Sequence, residues 1–169
     1  MNAAYRILSY IKGTSGYGIL LQACHDLSLS TCCDSRLGSL SPCTTSFGSE
    51  YLVTLGGPPI SWKTKKQTTV LGSSAEAKYH SIAAVTSELV WSKSLLASFG
   101  MFHRQPMHLF CDSQAALHIA WNPVFHERTK YIEIDCHFVH ERYHSGELDL
   151  SYIPLKTQLA DISTKALGK

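Results

Sequence analysis

The sequence predicts an α/β layer fold with a mixed central sheet, and three observations carry that prediction. Residues in the first third alternate apolar with small or polar at period two, which is the signature of half-buried strands. From residue 73 onward, stripes of helical period take turns with short apolar runs, which points to strands separated by helices. Scattered Gly and Pro fall between these segments as punctuation. At 169 residues the chain has the length of about one domain.

The elements follow in order. Tyr5, Leu8 and Ile11 sit at helical spacing, and Gly13 stops the opening helix. Gly18 to Gln22 and Leu27 to Cys33 read as strands, with Asp34 at the end of the second. Phe47 to Leu55, Gly56-Gly57 and Pro58 to Lys63 read as a hairpin. Ser73-Ser74-Ala75-Glu76 opens a long helix whose stripe is Ile82, Val85, Leu89, Leu96 and Phe99, with Gly100 at its end. Met107 to Cys111 is a short strand, and Asp112-Ser113 caps a helix running toward Pro123. Glu127 to His144 is helical, Leu148 to Ile153 is a strand, and Gln158 to Leu167 forms a terminal helix. About five strands flanked by helices are expected.

Composition narrows the classes of function. Hydrophobic residues at 44% and charged residues at 17% describe a globular chain. Fifteen Lys plus Arg against thirteen Asp plus Glu give a net charge of +2, so nucleic-acid contact needs a local basic patch. No apolar run approaches the ~18 residues of a membrane span, and the N-terminus carries no signal-peptide pattern. No membrane partner is expected. Six cysteines (Cys24, Cys32, Cys33, Cys43, Cys111, Cys136) include no C-x-x-C pair and read as reduced thiols.

Four acids stand where ligands gather in such sheets, near strand ends and helix starts: Asp34, Glu76, Asp112 and Asp161. If they converge, their summed negative charge calls for a hard divalent cation. Two Mg²⁺ ions would suit phosphodiester hydrolysis there. Each acid also has a local explanation. Ser73-x-x-Glu76 is a capping box, Asp112 is a good N-cap, Asp34-Ser35 suits a turn, and Asp161 suits a helix N-terminus. The run Trp62 to Thr69 holds Lys63, Lys65, Lys66 and Gln67, which could bind a sugar-phosphate backbone or simply guard a hairpin edge. His140-Glu141-Arg142-Tyr143-His144 is a literal H-E-x-x-H, the zinc-peptidase pattern, although its only remaining third-ligand candidate is Asp161.

Several stretches together resemble the ribonuclease H domain of copia-type LTR retrotransposon polyproteins, plant elements especially. They are Arg6 to Thr14, Ile60-Ser-Trp-Lys63, Ser73-Ser-Ala-Glu-Ala77, Cys111-Asp-Ser-Gln-Ala-Ala116, Asn122 to Lys130, Ile132 to Val139, Gln158-Leu-Ala-Asp-Ile162 and Thr164 to Leu167. The match spans nearly the whole chain in the family's order. It implies an RNase H-like fold and hydrolysis of the RNA strand of RNA–DNA hybrids during reverse transcription. It also implies two Mg²⁺ ions, with Mn²⁺ as a substitute, at Asp34, Glu76, Asp112 and Asp161. The basic segment Lys63, Lys65, Lys66 and Gln67 would face the hybrid. Residues 1–22 would be the remnant of a connection to the reverse transcriptase domain of the parent polyprotein, and 23–169 the RNase H-like domain. Localisation in a cytoplasmic element particle follows by analogy.

The chain departs from the family pattern in places. Arg36 stands where an acid is usual, Leu37 where a Trp is usual, Tyr131 where a His is common and Ser163 where a Phe is usual. Losing that Phe from a core would cost about 3 kcal/mol. Glu50 falls in a strand expected to be mostly buried, where an unpaired carboxylate is costly. These departures keep open a second reading, a decayed remnant that retains the fold and binds nucleic acid without catalysis.

Overall fold

The computed structural model describes residues 2–21, 27–41, 44–67, 73–122 and 133–160. Its elements are α1 (Asn2–Gly13), β1 (Leu29–Ser41), β2 (Thr44–Leu55), β3 (Pro59–Gln67), α2 (Ser74–Ser98), β4 (Met107–Cys111), α3 (Gln114–Trp121), α4 (Glu133–His144) and β5 (Leu148–Tyr152). A 3₁₀ turn at Leu155–Thr157 follows. The five strands form one sheet in the order β3-β2-β1-β4-β5. β1, β2 and β3 pair antiparallel, whereas β1, β4 and β5 pair parallel. The sheet is therefore mixed, as the sequence predicts.

Gly56 and Gly57 turn the β2–β3 hairpin at φ 60° and 113°, a region that disfavours residues with a Cβ. α2 starts where the capping box is read in the sequence: the Ser73 Oγ accepts from the Glu76 backbone N–H at 3.2 Å. Ile82, Val85 and Leu89 of α2 are fully buried against Val53, Leu109 and Met107 of the sheet. Burying each such side chain contributes roughly 2 kcal/mol. The predicted stripe fades at the C-terminal end of α2, where Leu96 is only half-buried and Phe99 is exposed.

Four expectations need revision or fall outside the description. Residues 17–21 form no strand; Tyr17, Leu20 and Leu21 are exposed, and a strand needs a neighbour to take its hydrogen bonds. Asp34 does not end a strand. Pairing with β4 stops at Cys33, but pairing with β2 carries β1 on to Ser41 and sets Asp34 opposite Glu50. The helix read over Glu127 to His144 is described from Glu133, since residues 123–132 lie outside the described residues. Of the terminal helix, only the short turns up to Ala160 are described, and Ser163 lies beyond them. Cys32, Cys33, Cys111 and Cys136 are free thiols, as expected, while Cys24 and Cys43 lie outside the described residues. No helix among the described residues is long and apolar enough to cross a membrane.

Candidate active site

The parallel pairing of β1 with β4 ends at Cys33 opposite Cys111. The next residue on each chain is an acid, Asp34 on β1 and Asp112 after β4. Two parallel neighbours in register carry their next side chains to the same place, so the topology itself juxtaposes these carboxylates. Both are buried, with side-chain exposures of 4% and 3%. The Asp34 carboxylate accepts from the Ser35 backbone N–H at 2.6 Å. Ser113 takes the N-cap of α3 by accepting from the Ala116 N–H at 3.3 Å. That choice matters, because it releases Asp112 from the capping role that its position also allowed.

The released carboxylate meets a cation. The Lys78 ammonium, carried by α2, donates to Asp34 Oδ1 at 2.6 Å and to Asp112 Oδ1. Burial alone would lower the lysine pKa, but the hydrogen bonds to Asp112 and Asp34 and their negative charges hold it above the ordinary value. Glu76 lies two residues earlier in the same helix and is half-buried. Among the described residues, no three His, Cys, Asp or Glu side chains cluster closely enough to hold a metal ion. The structure thus brings together Asp34 and Asp112. Asp161 lies outside the described residues.

Up to Ala160, the segment after β5 is held by Gln158, which the sequence reading quotes only as the start of a matching stretch and of a helix. Gln158 is buried and donates from Nε2 to the Cys33 carbonyl at 2.9 Å, one residue before Asp34. Its Oε1 accepts from the Ala160 N–H at 3.4 Å. The segment following β5 is therefore stitched to β1 beside the acid pair. β5 itself is extended toward this end by a bond from the Ile153 N–H to the Cys111 carbonyl at 3.0 Å.

The basic segment lies on β3, where side chains alternate between faces. Lys63 and Lys65 share one face, and with Ser49, Tyr51, Ser87 and Glu88 they line a pocket of about 300 Å³ between the hairpin and α2. Trp62 falls on the opposite face and is exposed. The side chains of Lys66 and Gln67 lie outside the described residues. On α4, the His140 and His144 rings approach to 4.1 Å between centroids, as i and i+4 residues should. Burial and the neighbouring His144 and His137 push the His140 pKa down.

No protein-family model matches the chain. It is 40% identical over 169 residues to the retrovirus-related Pol polyprotein from transposon RE2 of Arabidopsis thaliana. It is also 30% identical over 170 residues to the corresponding polyprotein from transposon TNT 1-94 of Nicotiana tabacum. The first match covers 99% of this chain and the second 96%, but each spans only 12% of the relative's length. Among solved structures, LC11-RNase H1 from compost superposes with a TM-score of 0.60 at 13% identity, covering 80% of this chain and 91% of that one. A foamy viral protease-reverse transcriptase in complex with dsDNA gives 0.55 at 9% identity, covering 85% of this chain and 92% of that one. Sheet order and these superpositions define the class: the molecule has the RNase H fold. Its relatives are retrovirus-related Pol polyproteins of plant transposons, with which it aligns along nearly its whole length.

Proposed function

We propose that the domain hydrolyses the RNA strand of RNA–DNA hybrids made during reverse transcription of its element. The observation that carries this reading is the convergence of Asp34 and Asp112, two buried carboxylates delivered by neighbouring parallel strands of an RNase H fold. One structural relative, LC11-RNase H1, has been solved in complex with an RNA/DNA hybrid and superposes with a TM-score of 0.54. Residues 23–169 are read as the catalytic unit, and residues 1–22 as the connection to a reverse transcriptase domain.

The chemistry of the site suits a divalent cation such as Mg²⁺ or Mn²⁺. Carboxylate oxygens are hard donors, and a cation, the Lys78 ammonium, already lies between the two acids. Asp34 and Asp112 would hold the metal, with Glu76 and Asp161 completing the acidic set. When bound, the ions supply a polarised water and charge stabilisation at the leaving oxygen. The chain's own residues do the rest. Ser35 and Gln158 fix the β1 segment that carries Asp34, and Ser113 takes the α3 cap in place of Asp112. Lys63 and Lys65, with Lys66 and Gln67 beyond them on the same strand, would neutralise backbone phosphates of the hybrid.

The test is a purified chain incubated with strand-labelled hybrid and Mn²⁺, beside Asp112→Asn. Cleavage confined to the RNA strand and lost in the variant supports the reading; cleavage that survives the substitution refutes it. A second reading, a folded remnant that binds nucleic acid without catalysis, is favoured by one observation: Lys78 occupies one oxygen of each carboxylate. A folded chain that binds the hybrid and leaves it intact at any Mn²⁺ concentration would establish that reading.

A further inference from the structure

Two buried carboxylates close to one another repel, and removing both from water is costly unless something compensates. Here the compensation comes from within the chain. Lys78 donates to Oδ1 of Asp34 and to Oδ1 of Asp112, so one ammonium serves both acids. Its backbone cannot drift, because Ala77 and Tyr79 on either side are buried at 1% and 0% exposure. Its side chain is different: it keeps 17% exposure and ends a four-carbon stem, so the ammonium can withdraw to solvent while the helix stays in place.

A hard divalent ion held by this pair would draw on the same two carboxylates, one oxygen of each being taken by the ammonium. It would also stand within a few ångströms of a positive charge, which is strongly unfavourable in a partly buried site. The ammonium and the metal therefore exclude one another. We propose that Lys78 is a built-in counter-cation of the Asp34–Asp112 pair, which holds the site together without metal and must be displaced before a divalent ion binds. The inference rests on the proposed function only in taking these two acids as metal ligands.

The experiment is Mn²⁺ titration of the whole 169-residue chain, read by the EPR signal of free Mn²⁺, for wild type, Lys78→Gln and Lys78→Arg. Removing the competing charge in Lys78→Gln is expected to tighten Mn²⁺ binding by about tenfold or more, while Lys78→Arg stays as weak as wild type. Lys78→Gln binding within about twofold of wild type overturns the proposal, as does equally tight binding by Lys78→Arg. Near-UV circular dichroism in EDTA and in Mn²⁺ covers the case in which Lys78→Gln does not fold alone. Recovery of the native spectrum by Mn²⁺ supports the proposal, since the metal then replaces the ammonium; failure to recover overturns it. Hybrid cleavage separates the two claims. Tight Mn²⁺ binding by Lys78→Gln without cleavage sinks the nuclease reading and leaves the role of Lys78 intact. Metal-dependent cleavage with unchanged Mn²⁺ affinity does the reverse.

Discussion

Replacing Gln158 by Leu tests how the end of the described chain is held to the site. The side chain is buried, and its Nε2 donates at 2.9 Å to the carbonyl of Cys33, the last β1 residue paired with β4. A neutral hydrogen bond contributes about 1 kcal/mol net, but leaving a buried carbonyl without its donor costs about 1–3 kcal/mol. Leu matches the volume closely, so little cavity term enters. A loss of about 2 kcal/mol follows, and a domain of this size should then melt about 4–8 °C lower. Thermal unfolding followed by far-UV circular dichroism measures it. Gln158→Glu is the informative partner: it keeps an acceptor for the Ala160 N–H but loses the donor to Cys33. Amide exchange at Ala160 should speed up in Gln158→Leu and stay slower in Gln158→Glu. A Leu variant within about 0.5 kcal/mol of wild type would refute the stitching argument, since that is the scatter expected of substitutions that touch nothing.

Other expectations can be checked alongside. Ser113→Ala removes the α3 cap seen at 3.3 Å and should cost about 1 kcal/mol in urea unfolding. Glu147 accepts from Lys93 at 2.8 Å and Arg142 at 2.9 Å, and the hydrogen bond from Lys93 is the largest cause holding its carboxyl below the usual range. Its folded pKa is depressed, so its stabilisation is present above the unfolded value of about 4.3 and is lost as pH falls through the folded one. Stability should therefore fall less between about pH 6 and pH 3 in Glu147→Gln than in wild type, measured by urea midpoints at each pH. Double replacement Lys63→Ala/Lys65→Ala should weaken hybrid binding and make the slope of log K against log salt shallower by about one to two units. Fluorescence anisotropy across a salt series reads that slope.

Local signals in the sequence were resolved well, and distant partners were not. Met107 to Cys111 is a strand with those bounds, because its alternation sits between clear stops. The Ser73 cap and the Gly56-Gly57 turn likewise form as their residue types dictate. The strand expected at Gly18 to Gln22 fails because alternation alone supplies no neighbouring strand. Asp34 stood out as an acid near the end of a strand, but its true setting is the end of one ladder inside a longer strand, which only the pairing partners reveal. Lys78 carried no signal. In Ala-Glu-Ala-Lys-Tyr it reads as an ordinary helical lysine, and its acids lie 44 and 34 residues away in sequence. Gln158 is separated from Cys33 by 125 residues. Hydrophobic period reports which face is buried, whereas a charge that bridges two strands is a property of the closed sheet.

The central claim is that this RNase H fold presents its Asp34–Asp112 pair as a hybrid-cleaving centre. The most direct measurement is cleavage of a strand-labelled RNA–DNA hybrid across a Mn²⁺ series, with DNA–DNA and RNA–RNA duplexes of the same sequence as controls. The account predicts cuts in the RNA strand of the hybrid alone, absent from Asp112→Asn and appearing at lower Mn²⁺ in Lys78→Gln. A folded Lys78→Gln chain that binds Mn²⁺ and hybrid yet leaves the RNA whole, or one that cuts all three duplexes alike, would contradict it.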